Sequence, residues 1–425
     1  MLSATRLALT GGVVGNRDVD RACGYPAIVD AADYRRMFYR GDVAARIVAL
    51  WPNETWSVEP YVTENAQSAA TGFEQAVADM DRRLGLWSTL HALDVLAGIG
   101  RYGVLLIGYS DTDDLSRPAP ESGAELVYLR PLDETQATIA QFETAGPRAG
   151  LPEYYNAALS GPGESAQTQR RVHWSRVIHV VDNALGSAVY GVPRLMPVYN
   201  RLLDLKKIAG GSAEMFWAGG FPGLSLEANA SPDTRVKLDI ESLRSQLESY
   251  LAGLQRYIAL VGMNAKSLSP QVADPRPHME VQLRLIAAAL GVPWRVFQGS
   301  EQGQLASEQD VITWGRQVQR RREFYATRAL IRPLLDRLIA AGALPEPTDG
   351  YDVHWPAGSE LSARDRVEIA ERKTNALVRY SDSSAPAYVP PFHFLTEVLD
   401  IDDEVARAML AEAEAAAADQ EPPAA

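Results

Sequence analysis

The chain has 425 residues, with 41 Lys and Arg against 54 Asp and Glu, a formal charge of −13. A 46% apolar and 22% charged composition is that of a globular protein of about two to three structural units and argues against a disordered chain. One cysteine, Cys23, excludes an intramolecular disulfide framework and a Cys-built zinc or iron–sulfur site, and it suits a reducing cytoplasm. No stretch approaches the roughly 18 apolar residues that span a membrane, and the apolar run of the first residues is too short for a signal peptide. The acidic surplus argues against a tight, sequence-independent DNA binder.

Residues 1–30 carry Gly11, Gly12, Gly15, Gly24 and Pro26 without sustained periodicity and read as a loose arm. In 31–51, Met37, Val43, Ile47 and Leu50 fall at helical spacing, broken near Gly41. A strand is expected at 56–62, a helix over 64–81, and a buried, mostly apolar helix over 85–99 that ends at Gly98 and Gly100. A β-rich block follows, with strands expected at 103–110, 125–132, 135–143 and 176–182, separated by the turn-rich segments 111–120, 146–152 and 161–169.

From Val192 to Trp217 the period is helical; residues 221–227 break it, and a second helix fits 236–256. A strand at 257–262 and a polar turn come next, then a helix over 277–290 and a glycine-broken loop ending at Ala306. Ser307 is a candidate N-cap for a long helix reaching residue 341, with Pro333 inside it. An interior proline loses a backbone hydrogen bond and clashes one turn back, so a kink is expected near 329–333. A strand at 351–356, a helix at 362–379, a Ser/Pro linker at 381–391 and a short helix with an acidic tail complete the chain. The order is α+β, not a βαβ series.

Most catalytic signatures are absent. There is no G-x-S-x-G, no H-E-x-x-H, and GGVVGN (11–16) lacks the lysine of a phosphate-binding loop. The Asp111, Asp113 and Asp114 cluster lacks the spacing of a calcium loop and reads as a solvated turn. His173 and His179 are six residues apart, which suits no common metal spacing. The most distinctive stretch is 292–324, where glycine breaks precede a helix bearing Arg316, Arg320, Arg321 and Arg322. Taken alone, these read as a solvated or subunit-facing basic patch or a nucleic-acid contact.

Three segments together carry a resemblance. HWSRVIHVVDNALGSAVYGVPRLMPVYNRLLDLKKI (173–208) resembles the part of tailed-bacteriophage portal proteins in which a strand ending "R-v-i-H" runs through a loop and "Y-G-v-P" into a long helix. GVPWRVFQGSEQGQLASEQDV (291–311) is similar to the family's loop leading into a long kinked helix, and DVAARIVALWPNETW (42–56) to its opening helix. The three keep family order.

The resemblance implies a portal fold with wing, stem and clip regions, assembled as a ring of about twelve subunits at one capsid vertex. Double-stranded DNA would be packaged and ejected through it. By position, 1–30 is an N-terminal arm, 31–193 the wing, 194–218 and 274–291 the stem helices, and 219–273 the clip. Residues 292–305 are the tunnel loop, 306–380 the wing's long helix and return, and 381–425 a reduced crown and tail. The resemblance also implies that Gln298, Gly299, Ser300, Glu301, Gln302, Gly303 and Gln304 face the channel. The long polar side chains among them would let DNA slide, and Glu301 would discourage adhesion.

The implied partners are further copies of the chain, double-stranded DNA, the large terminase subunit, the major capsid and scaffolding proteins and a head–tail adaptor. No membrane, cofactor, metal or catalytic residue is expected. The implied place is the virion's portal vertex, after assembly in the host cytoplasm. Two other readings are a metal-dependent phosphodiesterase or nuclease using Asp111, Asp113 and His173 or His179, and another head–tail assembly protein.

Overall fold

The computed structural model describes residues 13–14, 17–64, 71–112, 114–159, 168–219, 223–228, 263–268, 274–299, 308–348, 350–356, 363–385, 388–399 and 401, with scattered residues of 241–248 and 406–410. Two compact units divide the chain, Met1–Pro356 and Ala357–Ala425.

The first unit begins with a short ribbon, β1 (Val13–Val14) and β2 (Arg17–Asp18), and helix α1 (Val19–Cys23). Helices α2 (Ala31–Arg40) and α3 (Asp42–Thr55) follow. They are separate, as the sequence suggested: Gly41 is extended, and its amide closes α2 on the Met37 carbonyl. The strand expected at 56–62 forms later and shorter, as β3 (Tyr61–Glu64). The helix expected from 64 begins only at α4 (Gly72–Leu84), where Thr71 and Glu74 form a capping box that satisfies amides the helix itself leaves open. Gly85, left-handed at φ 61, joins it to α5 (Leu86–Ile99).

The β-rich block holds β4 (Gly103–Tyr109), β5 (Leu126–Asp133), β6 (Ala137–Phe142), β7 (Pro152–Leu159), β8 (Thr168–His173) and β9 (Val177–Val180). The order is β5-β4-β9 in one antiparallel sheet and β6-β7-β8 in another. All of β4 is buried because alternate residues feed two cores. Leu105, Ile107 and Tyr109 pack with α4, α5 and the later long helix, whereas Val104 and Leu106 pack toward the second sheet through Tyr155 and Val172. Strands β7 and β8 are not announced by the sequence. EYYNAAL is diluted by Asn and Ala, and TQRRVH is a polar strand on the edge of its sheet, so neither carries a β-branched run.

Helices α6 (Tyr199–Gly219) and α7 (Arg276–Ala289) pack on α2 and α3 around Leu202, Ile286 and Ala287. Between them, β10 (Gly223–Ala228) pairs antiparallel with β11 (Met263–Leu268). This corrects two expectations. Residues 221–227 are more than a helix break, and a strand stands where a polar turn was expected. Each strand is too short and too polar to announce itself without its distant partner. The helix expected over 236–256 lies mostly outside the described residues, as do the strand at 257–262 and Ser307.

Short α8 (Trp294–Gln298) precedes α9 (Glu308–Arg321). From Arg322 to Ile331 the helix widens to π geometry, and α10 (Arg332–Ala340) resumes the α form with Pro333 in its first turn. The Arg332 amide donates to the Thr327 carbonyl, five residues back. The wider turn precedes the proline directly, where a regular ladder would set its ring against the carbonyl one turn back. Strand β12 (Tyr351–His354) returns to pair with β3.

The second unit contains α11 (Ala363–Ser381), a turn at Pro391–His393 and a π-helical segment Phe394–Val398. Tyr380 and Phe394 stack with centroids 3.9 Å apart in a small core with Leu395, Leu399 and Ala406.

Candidate functional site

Where the β-rich block hands over to α6, four charged side chains meet in the interior. Helix α5, LWSTLHALDVLAGI, is apolar nearly all round and carries one carboxylate, Asp94, which is fully buried. Both of its oxygens are used. Oδ1 accepts from Arg194 Nη2 and Arg321 Nη2, each at 2.8 Å. Oδ2 accepts from Arg321 Nη1 at 2.8 Å and from the Trp56 indole at 3.1 Å.

Arg194 also donates to Asp182 Oδ2 at 2.7 Å and to the Val48 carbonyl at 2.6 Å. Arg321 reaches Thr55 Oγ1 at 3.0 Å and lies over the Tyr325 ring at 4.3 Å. Two carboxylates thus face two guanidinium groups, tying α3, α5, α9 and the 182–194 segment to one point. Burial would raise the Asp94 carboxyl, but the Arg321 and Arg194 charges outweigh it and hold the group well below the usual carboxylate range. Gly98 makes the space: a Cβ there would stand 2.5 Å from Arg194 Cζ.

The approach to α6 is itself fastened. Asn183 is left-handed at φ 51 and Gly186 at φ 78, Ala184 bridges Gly191, and the Gly191 amide donates to the Arg101 carbonyl at 2.8 Å. His179 holds the same loop. Its Nε2 donates to the Val189 carbonyl at 2.9 Å, so Nδ1 accepts from the Tyr155 hydroxyl at 3.0 Å. Burial lowers the His179 pKa, and the ring stacks on Tyr102 at 4.8 Å.

The four arginines singled out in the sequence do not form one patch. Arg316 and Arg320 are exposed, Arg321 lies in the ion cluster, and Arg322 is buried. Arg322 donates to the carbonyls of Thr55 and Glu54 and to Ser57 Oγ at 2.9, 3.1 and 3.0 Å. For Arg321 and Arg322 the basic-patch expectation is therefore corrected, because helix phase turns them toward α3 and α5. Of the expected loop, Gln298 and Gly299 are exposed, the latter at φ 87. Ser300, Glu301, Gln302, Gly303 and Gln304 lie outside the described residues. Arg46 on α3 grips the start of that loop, donating to the Phe297 carbonyl at 2.5 Å and the Val296 carbonyl at 2.6 Å.

The described residues of the nuclease reading are engaged elsewhere. Asp111 is held by both ends of the buried Arg176 guanidinium. His173 Nδ1 accepts from the Ser175 amide at 3.2 Å and lies 2.7 Å from its hydroxyl. Asp113 lies outside the described residues. Sequence reasoning missed Asp94, Asp182, Arg194 and Arg46. A lone acid in an apolar helix was the available signal for the first.

The family model for phage portal proteins matches residues 33–378. The chain belongs to the phage portal protein family. Among solved structures, the neck of an empty GTA particle contains a chain that is 17% identical, covering 82% of this portal chain and 90% of that one, with a TM-score of 0.51. At that identity the likeness shows a shared fold. A chain of the virion of the native gene transfer agent particle is 17% identical over 88% of this chain and 94% of its own, at a TM-score of 0.48. An HK97-family phage portal protein from Corynebacterium diphtheriae is 10% identical over 79% and 99%, at a TM-score of 0.42. No curated protein sequence matches the chain.

Proposed function

We propose that the protein forms a ring of about twelve copies at one vertex of a phage capsid, through which double-stranded DNA is packaged and later released. The ring would also dock the terminase, capsid and scaffolding proteins and a head–tail adaptor. The portal-family match over residues 33–378 carries this reading, and the fold shared with a particle neck protein supports it. In this reading α6 and α7 are the stem, β10 and β11 belong to the clip, and the loop that Arg46 anchors after Phe297 faces the DNA.

Charge fits a conduit. Twelve copies at −13 each surround the passage with about −156 formal charges, which disfavours gripping and favours sliding. No chemistry is assigned to the chain itself; the energy of packaging comes from the ATPase that docks on it.

Mass measurement and electron microscopy of the purified 46.4 kDa chain test the proposal. Rings of about twelve subunits with a central hole are expected. A monomer at every concentration, or a magnesium-dependent nuclease activity lost in Asp113→Ala, would overturn it. Replacing residues 298–304 by a Gly/Ser linker is expected to impair DNA retention in assembled particles; unchanged retention removes the loop from the mechanism.

A further inference from the structure

On the exposed side of α9 and the π segment, Arg316, Arg320, Phe324 and Arg328 follow one another at intervals of four residues. The guanidinium groups of Arg320 and Arg328 lie 5.9 and 4.7 Å from the centre of the Phe324 ring. None of the three arginines has a carboxylate within ion-pair distance among the described residues. Phe324 is 56% exposed, and it does not stand alone, since Leu185 is 80% and Met196 55% exposed. Leu185, Arg320 and Phe324 share the lining of one cavity of about 790 Å³, which Ile47, Trp51, Pro197 and Leu290 make largely apolar. Met196 immediately precedes Pro197 of that lining.

A single exposed apolar residue needs no explanation, but a group of them around a concave apolar site marks an interaction surface. The loop that presents Leu185 is held by the Ala184–Gly191 bridge and by the Arg194–Asp182 pair at its base. The leucine is thus offered to solvent by a built scaffold, with its surface ready before any partner arrives.

We infer that this cavity and its arginine–phenylalanine stripe form the surface that receives a second copy of the chain. The inference rests on the ring reading above and names the subunit-facing residues within it. The occupant follows from chemistry. Duplex DNA presents phosphates and sugars and has no apolar side chain to fill a cavity walled by Trp51, Leu290 and Phe324. Arginine and exposed aromatic residues around a pocket are the composition of a protein–protein contact. The arginines lack acidic partners among the described residues of their own chain, and each neighbouring copy brings 54 carboxylate residues against 41 cationic ones. In the ring reading the neighbouring copy meets this surface with a different patch of its own, a heterologous contact of the kind that closes into a ring.

The test uses the full chain. Hydroxyl-radical labelling with peptide mapping compares isolated rings with the dissociated monomer, and Arg320→Glu and Phe324→Asp are assembled alongside. Phe324 and Met196 are expected to be labelled at least several-fold less in the ring. Each variant should need at least tenfold more protein to assemble while its monomer melts as the wild type does. A wild type that never forms rings refutes the ring reading itself. Rings in which Phe324 and Met196 label as in the monomer, or variants that assemble at wild-type concentration, overturn the inference and leave the ring reading standing. Variants that assemble normally but lose affinity for duplex DNA also overturn it and make the stripe a nucleic-acid surface.

Discussion

Arg320 and Arg321 are neighbours in sequence and occupy opposite regimes of electrostatics. One turns outward, beside the Phe324 ring. The other turns inward onto a carboxylate that no water reaches. Exposed charge is cheap to keep and contributes little to folding, because water solvates it either way. Buried charge is costly to place, and losing one partner is costlier still, because the remainder stays in the interior unpaired. The difference lies in helix phase, about 100° per residue, and it divides the arginines into those that hold the subunit together and those available to something outside it.

The largest expected effect comes from breaking the buried member. Asp94→Asn keeps the shape of the side chain and removes the charge that two guanidinium groups share. A cost of about 3–5 kcal/mol is expected, measured as lost stability in denaturant melts. A loss below about 1 kcal/mol would show that Asp182 alone balances both arginines. Because the folded-state Asp94 pKa is depressed, the cluster's contribution is present above the ordinary carboxylate range. It is lost progressively as pH falls from the ordinary carboxylate value through the still lower folded one.

Next in size is a test of the room made for the cluster. Gly98→Ala adds a methyl group 2.5 Å from Arg194 Cζ, so the guanidinium must leave Asp94 or α5 must shift. A loss of about 1–3 kcal/mol is expected, and it should shrink in an Arg194→Met background. An equal loss in both backgrounds would place the clash elsewhere.

A smaller effect belongs to a group that is buried but neutral. In its uncharged form His179 is satisfied on both nitrogens. Burial lowers its pKa below the unfolded value of about 6.5. Unfolding therefore takes up a proton on acidification. The stabilisation is complete above about pH 6.5 and is lost as pH falls through the folded pKa. Melting temperatures from pH 8 to pH 5 should drop more steeply for wild type than for His179→Gln. Parallel profiles would remove His179 from the acid response.

Much of the frame is legible in the amino-acid sequence. Periodicity locates α3, α5, α7 and the long helix, because each buries an apolar stripe or is apolar throughout. The resemblance carried by 42–56, 173–208 and 291–311 names the family that the match over 33–378 establishes. What escapes is what depends on distant partners. β8 and β11 are polar strands whose pairing is made across the sheet. The arginine run looks like one patch because a string of letters does not display the turn that sends Arg321 to Asp94 and Arg322 to the Thr55 carbonyl. Asp94 is visible as a lone acid in an apolar helix, but its two partners, 100 and 227 residues away, are not.

The smallest effect on the subunit is expected from Arg320→Ala, and this is what makes it informative. The side chain is exposed, forms no ion pair among the described residues and lies 5.9 Å from the Phe324 ring centre. Removing it should change monomer stability by less than about 0.5 kcal/mol. At a surface that meets a neighbouring copy, the same truncation removes a cation that would be desolvated against carboxylates, and such contacts act mainly on dissociation. Stability and assembly should therefore separate. The variant melts like wild type as a monomer, while its rings dissociate faster on dilution, most clearly at low salt, where attraction between charges is least screened. If instead Arg320→Ala lowered monomer stability as much as Gly98→Ala does, the two arginines would share one structural role, and the contrast between inward and outward helix faces would fail.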